Sequence, residues 1–165
     1  QLASTDELTG LTNRRGFELL SEQALAICRR AGEPASLLMI DMDGFKAIND
    51  QHGHEEGDRA LIEFARLLLT VFRESDVIAR LGGDEFAVLL TGTSETNTER
   101  ALERLNEAVA ERNQHSDKPY PLAFSGGSTS CQTDQKNRDL AELLRQADAR
   151  MYDQKRQKLE QRMSF

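Results

Sequence analysis

An α+β fold, with a central, mostly antiparallel β-sheet flanked by helices, is predicted by three features of this 165-residue sequence. Two strand-like apolar runs, Val77–Leu81 and Phe86–Leu90, enclose Gly82-Gly83, a two-residue hairpin signal, because a tight primed turn needs the positive φ that glycine adopts cheaply. A third apolar run, Ser36–Asp43, is closed by acids and reads as a buried strand. Long segments of helical periodicity surround these runs, and a strand hairpin set among helices points to a largely antiparallel sheet.

The elements follow in order. Residues 13–31 carry Phe17, Leu20, Ala24, Ile27 and Ala31 on one stripe, and Gly32 through Pro34 end that helix. After the strand at 36–43, a short helical turn is expected at Phe45–Gln51, then a polar loop through Gly53 and Gly57. A long helix near 55–74 shows Leu61, Phe64, Ala65, Leu68 and Phe72 at helical spacing. Beyond the hairpin, Thr91–Asn97 reads as a polar connection and 98–114 as an amphipathic helix through Leu102, Leu105 and Val109. Pro121–Thr129 is a strand candidate whose Gly126-Gly127 marks a bulge or a close backbone approach. Leu140–Lys158 closes the chain as a helix, with Leu140, Leu143, Leu144, Ala147 and Met151 inward.

Composition bounds the function. Hydrophobic content of 38%, charged content of 30% and the absence of tryptophan fit one soluble globular domain spanning 1–165. A net charge of −7 argues against a general nucleic-acid or anionic-membrane binder, which needs a basic face, yet allows a small anion held through divalent cations. Cys28 and Cys131 match no zinc or redox spacing and fit a reducing cytosol, so a cytoplasmic location is expected. No apolar run reaches membrane-spanning length and no signal peptide opens the chain. The start at Gln1 rather than Met leads us to expect a piece of a longer parent with a preceding domain.

Three polar constellations carry chemistry. In Asp41-Met42-Asp43 the two acids share a strand face, and Asp84, with Glu85 beside it at the start of the returning strand, supplies a second acid for a magnesium site. An Asp-x-Asp alone more often just ends a strand. Gly44-Phe45-Lys46 turns from strand into helix, where free backbone N–H groups cradle phosphate and Lys46 adds a point charge; the plain alternative is an ordinary strand–helix turn. Asn49, His54 and Asp58 lie in a polar stretch that the core does not need, and an Asn–Asp combination suits the donor and acceptor edges of guanine; solvated loop and capping residues are the plain alternative.

The segments DELTGLTNRRGF (6–17), DMDGFKAINDQHGHEEGD (41–58), RLGGDEF (80–86) and ADARMYDQK (147–155) together resemble the GGDEF domain of diguanylate cyclases, from Asp6 to about Lys158. That resemblance implies a fold similar to nucleotide cyclases and polymerase palms, and a reaction in which two GTP condense to cyclic di-GMP with release of two pyrophosphates. It implies a homodimer whose two half-sites each present one GTP, with Mg2+ as cofactor and Mn2+ as an alternative. Asp41, the Met42 carbonyl and Asp84 are the implied metal ligands, with Asp84 also the general base and Glu85 secondary at the second metal. Asn49 and Asp58 match guanine-reading positions, His54 a position near the nucleotide, and Gly44–Lys46 the phosphate loop. Lys155 matches a phosphate-neutralising lysine, and Gly82 and Gly83 match the turn that leaves room for the α-phosphate.

Arg73 and Asp76, five residues short of Gly82, match an R-x-x-D site that binds cyclic di-GMP as inhibitor; the alternative is a helix-end arginine and a turn-capping aspartate. One departure concerns the end of the chain. Where the family places an arginine four residues after the lysine, this sequence has Leu159, leaving Arg156 or Lys158 to reach the phosphates. The rival functional reading is a non-catalytic GGDEF-like module that binds GTP or cyclic di-GMP as a receptor. A purely structural dimerisation domain explains none of the polar clustering.

Overall fold

Side-chain alternation along the central strands sorts the molecule into three layers. The computed structural model describes residues 3–131 and 139–163. In chain order these form α1 (Arg14–Ala31), β1 (Ala35–Met42), α2 (Phe45–His52), α3 (His54–Val71), β2 (Val77–Gly82), β3 (Glu85–Thr91), α4 (Glu95–His115), β4 (Phe124–Cys131) and α5 (Leu140–Met163). Among the described residues the sheet runs β2-β3-β1-β4, and every neighbouring pair is antiparallel. Leu38, Ile40 and Met42 of β1 pack with Phe64, Leu68 and Leu105 of α3 and α4 on one face. Leu37 and Met39 pack with Phe17 and Leu25 of α1 and Leu143, Ala147 and Met151 of α5 on the other. β1 is buried on both faces, which is why Leu37–Ile40 at its centre is a continuous apolar run.

Several boundaries differ from the sequence reading, each for a physical reason. Gly57 lies inside α3 rather than in a loop. A Cβ there would stand 1.8 Å from Asn49 Oδ1, so glycine is what lets α2 and α3 pack with the Asn49 side chain between them. α3 stops at Val71, because Phe72 is extended and residues 73–76 form a turn. α4 starts earlier, at Glu95, capped by the Ser94 side chain accepting from Asn97 N at 3.3 Å. β4 begins at Phe124 rather than Pro121. Upstream, the Leu122 backbone is satisfied by the Asn113 side chain, which accepts from its N–H and donates to its carbonyl, both at 2.8 Å, so no ladder is needed there.

The hairpin turn is shifted by one residue. Gly82 pairs with Glu85, leaving Gly83 and Asp84 as the loop, and the register slips between Arg80 and Gly82. Asp84 therefore sits in the turn itself, while Glu85 opens the strand. Gly126-Gly127 is a close approach and not a bulge, since the β1–β4 register is continuous from Ala35↔Cys131 to Met42↔Phe124. A Cβ on Gly127 would stand 2.1 Å from Met151 N and 2.4 Å from the Ala147 carbonyl, so α5 lies directly on this strand. α5 also continues five residues past the expected end at Lys158. No described helix is long and apolar enough to cross a membrane.

Candidate active site

The site forms where β1 ends beside the hairpin turn. Asp41 stands directly across from Glu85 in the β1–β3 register, so both carboxylates emerge on the α1/α5 face. The turn is tied to β1 by the Met42 N–H donating to the Asp84 carbonyl at 3.2 Å. Its far side is held by Arg80, which donates through Nε to the Gly83 carbonyl at 2.9 Å and through Nη1 to Asp6 Oδ1 at 2.9 Å. Thr9 hydrogen bonds and the Arg80 charge outweigh burial and lower the Asp6 pKa, keeping that brace ionised. Gly83 has φ of 52°, and a side chain at Gly82 or Gly83 would meet no protein atom within 4 Å, so the space beside the turn is open.

The carboxylates are strongly coupled to one another and to α5. Burial, and then the neighbouring Asp41 carboxylate, push Asp84 up to about 7. Glu85 is also raised, by burial and by Asp148 and Asp41. Lys155 Nζ donates to Asp41 Oδ2 at 2.6 Å; burial works against its charge, but Asp41, Asp84 and Asp43 outweigh burial and raise its pKa. Asp41 Oδ1 is buried without a hydrogen-bond partner, an arrangement that costs free energy unless a cation or donor completes it. This all-oxygen pair fits Mg2+, which takes one or two carboxylates and completes its octahedron with water and phosphate oxygens. Among the described residues no three acidic, histidine or cysteine side chains converge as a cage of their own.

Asp43 has a different job. Ser125 Oγ donates to its Oδ1 at 2.8 Å, and Lys158 Nζ donates to its Oδ2 at 2.9 Å and to the Phe124 carbonyl. Asp43 thus locks the start of the Gly44 turn to β4 and α5. Gly44, with φ of 71°, is the N-cap of α2 and supplies no side-chain cap, leaving first-turn amides available at Phe45 and Lys46. Lys46 is exposed. Asn49 lies against Gly57 of α3, the residue before Asp58, while His54 is exposed at the start of α3. Arg156 pairs with Asp153 at 3.3 Å, and both side chains are exposed.

Arg73 and Asp76 meet elsewhere, at the turn between α3 and β2. Asp76 Oδ2 accepts from Arg73 N at 2.8 Å, and Arg73 Nη2 donates to Asp76 Oδ1 at 3.0 Å and to the Thr91 carbonyl at 2.8 Å. The aspartate side chain is 1% exposed and the arginine 54%, so the guanidinium is what faces outward. A cavity of about 260 Å3 here is also lined by Arg100 and Arg104 of α4, which the sequence reading missed. Their i, i+4 spacing on one helix face is the only sequence signal of that pairing. It also missed the Asp6–Arg80 brace and the Ser125–Asp43–Lys158 lock.

The sequence matches the family described as diguanylate cyclase, GGDEF domain, over residues 3–161. It is 43% identical over 108 residues to the probable diguanylate cyclase DgcC of Escherichia coli K12, covering 66% of this chain and 29% of that one. It is 34% identical over 156 residues to a diguanylate cyclase of Vibrio cholerae, covering 94% and 48% respectively. The chain thus spans less than half the length of these curated relatives. The GGDEF domain of DgcB from Caulobacter crescentus, solved in complex with c-di-GMP, superposes with a TM-score of 0.84 at 28% identity, covering 94% of this chain and 92% of that one. Sequence and fold agree along nearly the whole length, and this chain belongs to the diguanylate cyclase GGDEF-domain family.

Proposed function

We propose that this domain condenses two GTP into cyclic di-GMP, each of two copies presenting one nucleotide, in a magnesium-dependent reaction. The observation that carries the reading is the Asp41–Asp84 pair with its orphaned Asp41 Oδ1. Each half-reaction joins the 3′-oxygen of one GTP to the α-phosphorus of the other. The bond from that phosphorus to the β-phosphate bridging oxygen breaks, and pyrophosphate leaves. Asp41, the Met42 carbonyl and Asp84, with Glu85 secondary, would hold Mg2+, which would supply charge stabilisation for the phosphates and acidify the 3′-hydroxyl.

Asp84, beside the attacking oxygen, takes the 3′-hydroxyl proton. Lys155 neutralises phosphate charge from α5, and the amides of Gly44–Lys46 hold phosphate oxygens at the start of α2. Asn49 and Asp58 read guanine, with His54 alongside. Gly82 and Gly83 keep the α-phosphate's space free of side chains.

Replacing Asp84 by alanine should cut cyclic di-GMP formation by about 10²–10⁴-fold with the fold retained by circular dichroism, as loss of a positioned base and ligand does. Full activity in Asp84→Ala removes Asp84 from the chemistry. Wild-type protein that binds GTP or cyclic di-GMP and forms no product is a receptor.

The outward guanidinium of Arg73, beside Arg100 and Arg104 in one cavity, supports a product-binding inhibitory site that also uses Asp76. Arg73→Ala should relieve inhibition by added cyclic di-GMP at least tenfold, the scale of one lost charge-assisted contact. Unchanged inhibition discards that site.

A further inference from the structure

We propose that Arg162 is a further nucleotide-binding residue, a phosphate ligand delivered to the start of α2 by the continuation of α5; the assignment rests on the GTP reading above. Lys155, Lys158 and Arg162 stand at i, i+3 and i+7 of α5, within an arc of about 60° and separated by rises of about 4.5 and about 6 Å. Each meets a successive stop at the end of β1. Lys155 is on Asp41, Lys158 is on Asp43, and Arg162 lines a cavity of about 240 Å3 with Asp43, Gly44 and Ala47.

The first two cations each pair with a carboxylate. Arg162 is exposed and forms no ion pair among the described residues. It is therefore the uncompensated charge of the row, at the phosphate-binding turn, and a guanidinium fork suits two phosphate oxygens at once. Neither residue expected from the sequence can do this. Lys158 is committed to Asp43 and the Phe124 carbonyl, and Arg156 to Asp153. Leu159 is an exposed apolar side chain. A last-turn arginine also complements the helix dipole, and that role alone makes no distinction between nucleotides.

The test is calorimetric titration of the whole chain, in Mg2+, with 3′-deoxy-GTP, which lacks the attacking hydroxyl and does not turn over, and with GMP, which lacks the terminal phosphates. Arg162→Ala should weaken 3′-deoxy-GTP binding about tenfold and change GMP binding less than twofold. Arg162→Lys should recover part of the loss, and Arg156→Ala should match wild type. An Arg162→Ala variant that binds 3′-deoxy-GTP like wild type overturns the assignment, as does an equal loss for both nucleotides. A folded wild-type chain that binds no 3′-deoxy-GTP overturns the GTP reading and this assignment with it.

Discussion

Asp84 is stabilised as an acid by the fold that holds it. Its folded pKa of about 7 lies above the unfolded carboxylate value near 4, because burial and Asp41 oppose the charged form. The folded state therefore binds more protons than the unfolded state between these limits. Linkage then makes stability fall as pH rises through that window. The contribution is fully present below pH about 4 and is lost by about 7. In EDTA, the thermal midpoint of the wild type should drop relative to Asp84→Asn across pH 4 to 7, and parallel curves would remove the pair's strain. The acids were legible in the sequence because each stands at a strand end or turn, where an unneeded carboxylate is conspicuous. Their partners were not. Lys155 is 114 residues from Asp41, and Arg80 is 74 from Asp6. Only the family resemblance had pointed to Lys155, and only the fold reveals that Lys158 belongs to Asp43.

At the scale of elements, the site depends on how closely α5 lies on β4. Gly127 permits that approach, and Gln154 reinforces it by accepting from Gly126 N at 2.6 Å. A methyl at 127 would collide with helix backbone, which cannot rotate away as a side chain can. Gly127→Ala should therefore cost about 2–3 kcal/mol in urea unfolding, the range for overpacking, and should also lower cyclic di-GMP formation because Lys155 moves with the helix. Wild-type stability in that variant would mean that α5 is not seated as described. The two glycines had signalled either a bulge or a close approach; the intact register decides for the latter. Strand and helix types were readable because burial follows the sequence pattern, an apolar run in β1 and helical spacing in α3. The boundaries were not, because side chains far from the boundary set them. Asn113 satisfies Leu122 ahead of β4, and Asn49 fills the space that makes Gly57 helical.

At the scale of the whole molecule, the chain carries one Asp41–Asp84 pair and one phosphate turn, enough to hold one GTP. Cyclic di-GMP needs two, joined head to tail, so the proposed reaction calls for two copies with their sites face to face. Each copy carries a net charge of −7, which opposes that encounter. The most direct test is the rate of cyclic di-GMP formation per subunit, with saturating GTP and Mg2+, measured across a wide range of protein concentration. The account predicts cyclic di-GMP and pyrophosphate in a one-to-two ratio, at a rate per subunit that climbs with concentration and then levels off. Absence of cyclic di-GMP at every concentration would contradict the catalytic reading, and a flat rate per subunit would contradict assembly of the site from two copies.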